Sequence, residues 1–382
     1  MTTKEIRFGL IGCGLMGREF ASAAARWCHL VDLDVAPRIV AVCSRTAASM
    51  EWFERNVPSV RLATTDYREL LEDTDVEAVY CAVPHNLHQQ IYVDTIRAGK
   101  HLLGEKPFGM DLGANTAILE TIHQNPDVFV RCSSQFPFFP GAYLIARWLR
   151  EERFGRIIEV EAGLWHSSDL NPNKPINWKR RVAINGEYGC MGDLGLHALH
   201  IPLRCGWKPT SVRALLSKIV TERPDQDGTM VPCDTWDNAI LACEVETEAQ
   251  GFPILLSMKR IAPGHANTWF IRVLGTAFSA TFTTKNPKRV ASLPYTAGGD
   301  QAWHVTDVPL TSAYRTITGS IFEFGFSDTI LQMFAAFCDE LANGPDMQQP
   351  FYCATPEEAA QSHEIFTAAL KSQRTGQTIC LG

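Results

Sequence analysis

The sequence predicts two domains of different class: a doubly wound α/β domain with a parallel sheet, then an α+β domain built on a large, mostly antiparallel open sheet. Three observations lead there. A chain of 382 residues exceeds what one hydrophobic core usually serves. Strand-like and helix-like segments alternate up to about residue 130, which means a parallel sheet with helices on both faces. Beyond that point strand-like runs follow one another with few helices between. The expected domains are residues 1–130 and 131–382.

The elements follow in order. Ile6, Phe8 and Leu10 alternate with Arg7 and Gly9, which starts a strand. Gly12-Cys13-Gly14-Leu15-Met16-Gly17 then opens a helix to about residue 27. Residues 39–43 form a second buried strand. Asp66 and Glu69 have the spacing of a capping box for a helix through Leu71. A strand over 76–83 leads to a helix over 88–98, with Gly99 suited to end it. A strand at 101–103, a helix from Asp111 to about 123 and a strand at 128–132 complete the alternation. In the second part, 157–164, 212–220, 239–245, 254–259 and 268–273 read as strands. Helices are expected at 141–152, 193–205, 328–342 and 356–372, and a surface loop at 222–233.

Composition narrows the class. Hydrophobic residues make up 46% and charged residues 20%, as in an ordinary globular protein. The net charge is −7 and no basic block or stripe occurs, so no nucleic-acid partner is expected. No run approaches the roughly 18 apolar residues of a membrane helix, so no membrane partner is expected either. An apolar run over 8–16 followed by Ala21-Ser22-Ala23 imitates a secretory signal. Acidic Glu5 and the interrupting glycines argue against one. The 12 cysteines form no CxxC pair and several sit in apolar strands, as small hydrophobes in a reducing compartment do. The cytoplasm is the expected location.

The glycine loop carries the first chemistry. GxGxxG between a strand and a helix is the dinucleotide-binding fingerprint of a Rossmann domain. Gly12 permits the tight turn, Gly14 admits a pyrophosphate, and Gly17 lets helix and strand pack closely. Leu15 and Met16 complete the loop against the phosphates. An acidic residue closing the second strand would bond a ribose 2′-hydroxyl. Ser44-Arg45-Thr46 stands there instead. A hydroxyl and a guanidinium suit a 2′-phosphate, as in NADP, while an arginine stacked on adenine is compatible with NAD.

Two segments end neighbouring strands: Cys81-Ala82-Val83-Pro84-His85-Asn86-Leu87-His88 and Gly104-Glu105-Lys106-Pro107. Both lie at the carboxyl edge of the sheet, where such sheets bind their ligands. This directs Lys106 toward the nicotinamide. Farther on, Asp193 and His197 are i, i+4 neighbours on one helix face. Gly195 costs that helix about 1 kcal/mol against alanine, and a close ligand or cofactor would explain it.

With these motifs the chain resembles the Gfo/Idh/MocA oxidoreductases, a family that includes glucose–fructose oxidoreductase and inositol dehydrogenase. The resemblance rests on GCGLMG at 12–17, AVPHNLH at 82–88, GEKP at 104–107 and GDLGLH at 192–197. Weaker matches are Gln135-Phe136 through Phe139-Pro140 and the ending SQRTGQTICL at 372–381. It implies that Lys106, Asp193 and His197 are catalytic, and that the Lys106–Pro107 peptide is cis. The chemistry agrees. A secondary alcohol must lose a proton as its hydride leaves. His197 has the intrinsic pKa of a general base, Lys106 can stabilise the developing alkoxide, and Asp193 can orient the imidazole.

The resemblance also implies dinucleotide contacts from Pro84, His85, His88, Glu105 and Lys106. For the histidines a plain helix-start role is the alternative, and for Glu105 a role in fixing its loop. The region of Trp165, His166, Trp178 and Arg180 lines the substrate pocket in relatives. Tryptophans stack on sugar rings, and the Lys179-Arg180-Arg181 trio could hold an anionic group. Many relatives have Asp three residues after the motif histidine, at a position that tends to face substrate. Here it is His200. Asp193, His197 and His200 share a face as metal ligands would, but only His166, far off in sequence, is a candidate fourth, and no metal is expected. The implied activity is hydride transfer between NAD or NADP and a secondary alcohol or ketone of a sugar, cyclitol or sugar derivative. The alternative is a glycosidase working by transient oxidation, and a non-catalytic cofactor sensor is the third reading. A homodimer or homotetramer is implied.

Overall fold

In the computed structural model the described residues are 3–308, 312–319, 324–349 and 351–382. They fall into two compact units. The first is Met1–Gly109, Gly113–Phe138 and Ser312–Pro356, and the second is Met110–Leu112, Phe139–Thr311 and Glu357–Gly382.

The first unit alternates as expected: β1 (Lys4–Ile11), α1 (Leu15–Ala25), β2 (Val35–Cys43), α2 (Ala47–Asn56), β3 (Leu62–Thr64), α3 (Tyr67–Glu72), β4 (Ala78–Cys81), α4 (His88–Arg97), β5 (His101–Gly104), α5 (Leu112–Gln124) and β6 (Val130–Cys132). The strands form one parallel sheet in the order β3-β2-β1-β4-β5-β6. All four residues of β4 are buried, as a strand covered on both faces requires. The strand order reverses between β1 and β4, so the crossovers diverge and leave a crevice at the carboxyl ends of these two strands. At α3 only half of the expected capping box forms. The Asp66 side chain accepts from Arg68 N at 3.0 Å, but the Glu69 carboxylate takes the Thr64 hydroxyl at 2.6 Å.

The second unit runs α6 (Pro140–Arg150), β7 (Ile157–Trp165), α7 (Val182–Asn185), α8 (Cys190–Arg204), β8 (Pro209–Ser217), β9 (Glu222–Pro224), β10 (Met230–Pro232), β11 (Asn238–Glu246), β12 (Gly251–Lys259), β13 (Thr268–Gly275), β14 (Phe278–Thr283), β15 (Arg289–Pro294) and β16 (His304–Asp307). The expected loop at 222–233 is a small hairpin of β9 and β10, closed around the Asp225 side chain, which accepts from Asp227 N and Thr229 N. The strands β14 to β16 extend the sheet beyond the expected runs. Their serines and threonines weaken the apolar alternation in the sequence.

Two more helices and a last strand follow: α9 (Phe326–Asn343), α10 (Pro356–Thr375) and β17 (Ile379–Cys380). The strand β17 closes the edge of a nine-stranded sheet ordered β16-β15-β14-β13-β7-β12-β11-β8-β17. Only the β7–β12 pair is parallel. The helix α8 lies across β7, β11, β12 and β13. Along β11, Ala239, Leu241, Cys243 and Val245 are buried while Ile240, Ala242, Glu244 and Glu246 are exposed. One face is thus covered and the other open.

The helix α9 belongs to the first unit, which differs from the expected division at 130/131. Phe334 packs 4.0 Å from Phe20 and 5.0 Å from Phe8, ring centroid to ring centroid. Phe337 meets Phe129 at 5.3 Å. Arg26 pairs with Asp328 at 2.8 Å, and Arg131 with Glu340. The phenylalanines of β1 and α1 need an apolar cover, and a segment distant in sequence supplies it.

Candidate active site

In the first unit the glycine loop has a built geometry. Gly12 has φ +109°, and a Cβ there would lie 2.2 Å from the Ala82 carbonyl oxygen, so only glycine fits. A Cβ at Gly17 would sit 2.3 Å from the Gly12 oxygen. A Cβ at Gly14 would meet nothing within 4 Å outside its own helix and chain neighbours. Gly14 is also the N-cap of α1, which has no side-chain cap and no acidic residue in its first turn. The leading N–H groups and the positive end of the helix dipole are therefore left for an anion, and a dinucleotide pyrophosphate fits this cradle. Leu15 is exposed and Met16 half-buried beside it. Burial pushes the Cys13 thiol up to about 12, so it is neutral. After β2, Ser44 is half-buried and Arg45 exposed. Arg45 makes no hydrogen bond or ion pair among the described residues.

Lys106 follows β5 at the same sheet edge and is half-buried, with a cis peptide to Pro107. Its neighbours are braced from three sides. Glu105 N donates to Cys81 O at 3.0 Å. The Glu105 carboxylate accepts from Tyr80 Oη at 2.8 Å, and its carbonyl from Tyr92 Oη at 2.7 Å. His88 is fully enclosed, with Nδ1 2.6 Å from Pro107 O and Nε2 3.0 Å from Val83 O. Its ring stacks on Tyr92 at 4.8 Å. Burial lowers the His88 pKa to about 4, outweighing the two carbonyls that favour its charged form. The neutral ring donates to only one of them. His88 and Glu105, expected at the dinucleotide, are enclosed and spent on holding the loop. Buried His85 adjoins His88, and Pro84 is half-buried just before it. Tyr80 and Tyr92 went unread in the sequence, because nothing local links them to Glu105.

In the second unit Asp193 lies in the first turn of α8 and His197 one turn later. Both are buried. The Asp193 carboxylate receives Lys179 Nζ at 2.9 and 3.0 Å and lies 3.3 Å from Arg260 Nη2. The His197 carbonyl accepts from Trp269 Nε1 at 2.8 Å. Gly195 needs no ligand to explain it, since a Cβ there would lie 2.3 Å from the Phe366 ring of α10.

Three expected substrate contacts are placed otherwise. Arg180 is fully buried, paired with Asp237, 3.7 Å from Asp169, and donating to Val220 O at 3.0 Å. It is a core ion pair. His200 is fully buried, with Nε2 3.2 Å from Arg204 Nη2 and 3.9 Å from the Glu358 carboxylate that Arg204 grips at 2.5 and 2.8 Å. Trp165 meets Phe270 at 4.9 Å, bonds Ser257 Oγ at 2.9 Å and lies under Lys259. Trp165, Phe270, Ser257 and Lys259 sit on the sheet face opposite α8, because Trp269, paired in register with Leu164, is the residue that reaches His197. Trp178 is half-buried with the Lys179 ammonium 5.6 Å from its ring centre. His166 is half-buried just beyond β7, its N–H on Lys259 O. No motif placed Arg260 near Asp193, and Lys179 was expected as an anion anchor rather than a partner of Asp193. Among the described residues no group of three or more His, Cys, Asp or Glu side chains could hold a metal ion, and no helix is long and apolar enough to cross a membrane.

Comparison with known proteins adds the following. Residues 6–131 match the model of an oxidoreductase family with an NAD-binding Rossmann fold, and 144–281 match the GFO/IDH/MocA C-terminal domain. A levoglucosan dehydrogenase of Pseudarthrobacter phenanthrenivorans is 25% identical over 236 residues, 59% of this chain and 57% of that protein. An inositol 2-dehydrogenase of Paenarthrobacter aurescens is 24% identical over 266 residues, 65% of this chain and 72% of that one. The chain thus spans little more than half the length of the first of these relatives. Among solved structures, a levoglucosan dehydrogenase complexed with NADH superposes with TM-score 0.86 at 20% identity, covering 99% of this chain and 100% of that one. An inositol dehydrogenase homologue with NAD+ from Azotobacter vinelandii gives 0.78 at 17% identity, covering 99% and 98%. Likeness at this identity speaks for the fold.

Proposed function

The chain belongs to the GFO/IDH/MocA oxidoreductase family, and from that premise we propose that it transfers a hydride between a nicotinamide cofactor and a secondary alcohol or ketone of a sugar, cyclitol or sugar derivative. The observation that carries this reading is the α8 helix, where a carboxylate gripped by two cations stands one turn before a buried histidine. The named activities of the levoglucosan and inositol dehydrogenases support the substrate class. The cradle of Gly12, Gly14 and Gly17 with the uncapped start of α1 would hold the dinucleotide. When bound, the nicotinamide accepts or supplies the hydride. In oxidation His197 takes the hydroxyl proton and Lys106 stabilises the oxyanion that forms. Asp193 fixes the His197 ring, and in reduction the same residues run in reverse. Trp178 and His166 are the remaining candidates for contacts to the sugar.

Exposed Arg45, unpaired among the described residues, supports NADP as the preferred form. Fluorescence titration of the purified chain with NADPH and NADH tests this. NADPH is expected to bind more tightly, and Arg45→Ala to remove the difference. Tighter NADH binding would overturn it. Oxidised cofactor with levoglucosan or myo-inositol as probe then tests the activity. Accumulation of reduced nicotinamide supports a dehydrogenase, whereas cleavage of a glycoside with the cofactor returned unchanged would point to transient oxidation. The twelve free cysteines suit the reducing cytoplasm as its location. The open face of the nine-stranded sheet, with Leu215 and Ile240 exposed, supports a homodimer or homotetramer joined there.

A further inference from the structure

We infer that Lys179 and Arg260 are positioning residues that act through Asp193 to set the basicity of His197. The inference rests on the reading of Asp193 and His197 given above. A carboxylate as buried as Asp193 is costly unless it is paired. Lys179 Nζ reaches both of its oxygens, and Arg260 Nη2 lies beside Oδ2. Arg260, only 2% exposed, also fixes the frame around them. Its Nη1 donates to Lys179 O at 2.8 Å, its Nη2 to Asn185 Oδ1 at 3.2 Å, and its backbone N to Asp237 O at 2.9 Å. Thr235 Oγ1 adds a second bond to Lys179 O at 3.1 Å. Lys179 is therefore pinned at its backbone while its ammonium is spent on Asp193.

This arrangement has an electrostatic consequence. A lone carboxylate one turn away would favour the protonated imidazole and leave less of the ring neutral near pH 7. Two cations on that carboxylate leave the cluster cationic and favour the neutral ring. Two ionisable groups beside Arg260 are themselves settled. Asp237 is held by Arg180, and burial pushes the Cys190 thiol up to about 12.

The test is a histidine-selective NMR titration of the full chain, with His197 assigned by its loss in His197→Asn. It needs no substrate. Lys179→Met is used because Lys179 is half-exposed, whereas truncating Arg260 would unmake the frame. Lys179→Met is expected to raise the His197 pKa by about one unit, and Lys179→Arg to restore it. Asp193→Asn is expected to lower it. If Asp193→Asn lowers the value but Lys179→Met leaves it unmoved, the positioning role is overturned and the reading of Asp193 stands. If Asp193→Asn leaves it unmoved, Asp193 does not act on His197, and both fall together.

Discussion

Lys106 and His88 show how differently two conspicuous side chains are used. Lys106 stands half-buried at the end of β5, and its loop is braced by Tyr80, Tyr92 and His88. Lys106→Ala is expected to cut hydride transfer by roughly 100- to 1,000-fold, the scale of losing one oxyanion donor. Its dissociation constant for reduced cofactor should stay within a few-fold of the parent. Full activity in this variant would remove Lys106 from the mechanism. His88 makes a prediction about stability. Its ring is neutral in the fold, with a pKa near 4 against an ordinary value near 6.5. Between those values the unfolded chain binds a proton that the folded ring refuses. Its stabilising effect is complete above about pH 6.5 and is lost as the pH falls toward 4, by on the order of 3 kcal/mol. Urea unfolding at pH 7.5 and pH 5 checks this, with His88→Gln expected to flatten the slope. The motifs that make Lys106, Asp193 and His197 candidates were legible because they are local. The partners Lys179 and Arg260 were not, because ion pairing is decided by tertiary proximity.

At the scale of elements, the glycine loop was readable throughout, since a tight turn, an open approach and a close helix–strand contact each restrict local backbone. Gly195 was read as a position kept for a ligand, and it is instead where α8 meets Phe366 of α10. Gly195→Ala should therefore destabilise the protein despite alanine's better helix propensity, by about 1–3 kcal/mol of overpacking offset by roughly 1 kcal/mol of propensity. Thermal unfolding checks this, and Phe366→Leu in the same chain should recover part of the loss. If Gly195→Ala were more stable than the parent, the contact with Phe366 would not be the reason for glycine. Trp165 shows the limit of strand periodicity. Alternation says which residues share a face of β7, but the packing of α8 decides which face that is.

At the scale of the molecule, the open face of the nine-stranded sheet leaves Leu215 at 62% and Ile240 at 46% exposure on neighbouring strands paired in register. If a second copy covers it, Leu215→Glu with Ile240→Glu should convert the oligomer to a monomer in light scattering, with the far-ultraviolet spectrum unchanged. A parent protein that is already monomeric would overturn that assembly. By itself the sequence determined the class of each sheet and the dinucleotide loop, and it offered Lys106, Asp193 and His197 as candidates for hydride transfer, because periodicity, glycine geometry and intrinsic pKa are local properties of the chain. Only the tertiary structure decided that α9 completes the first unit, that Arg180 and His200 are held inside the second, and that Asp193 is gripped by Lys179 and Arg260. These depend on which distant segments cover an apolar face or neutralise a buried charge, and no spacing along the chain encodes that.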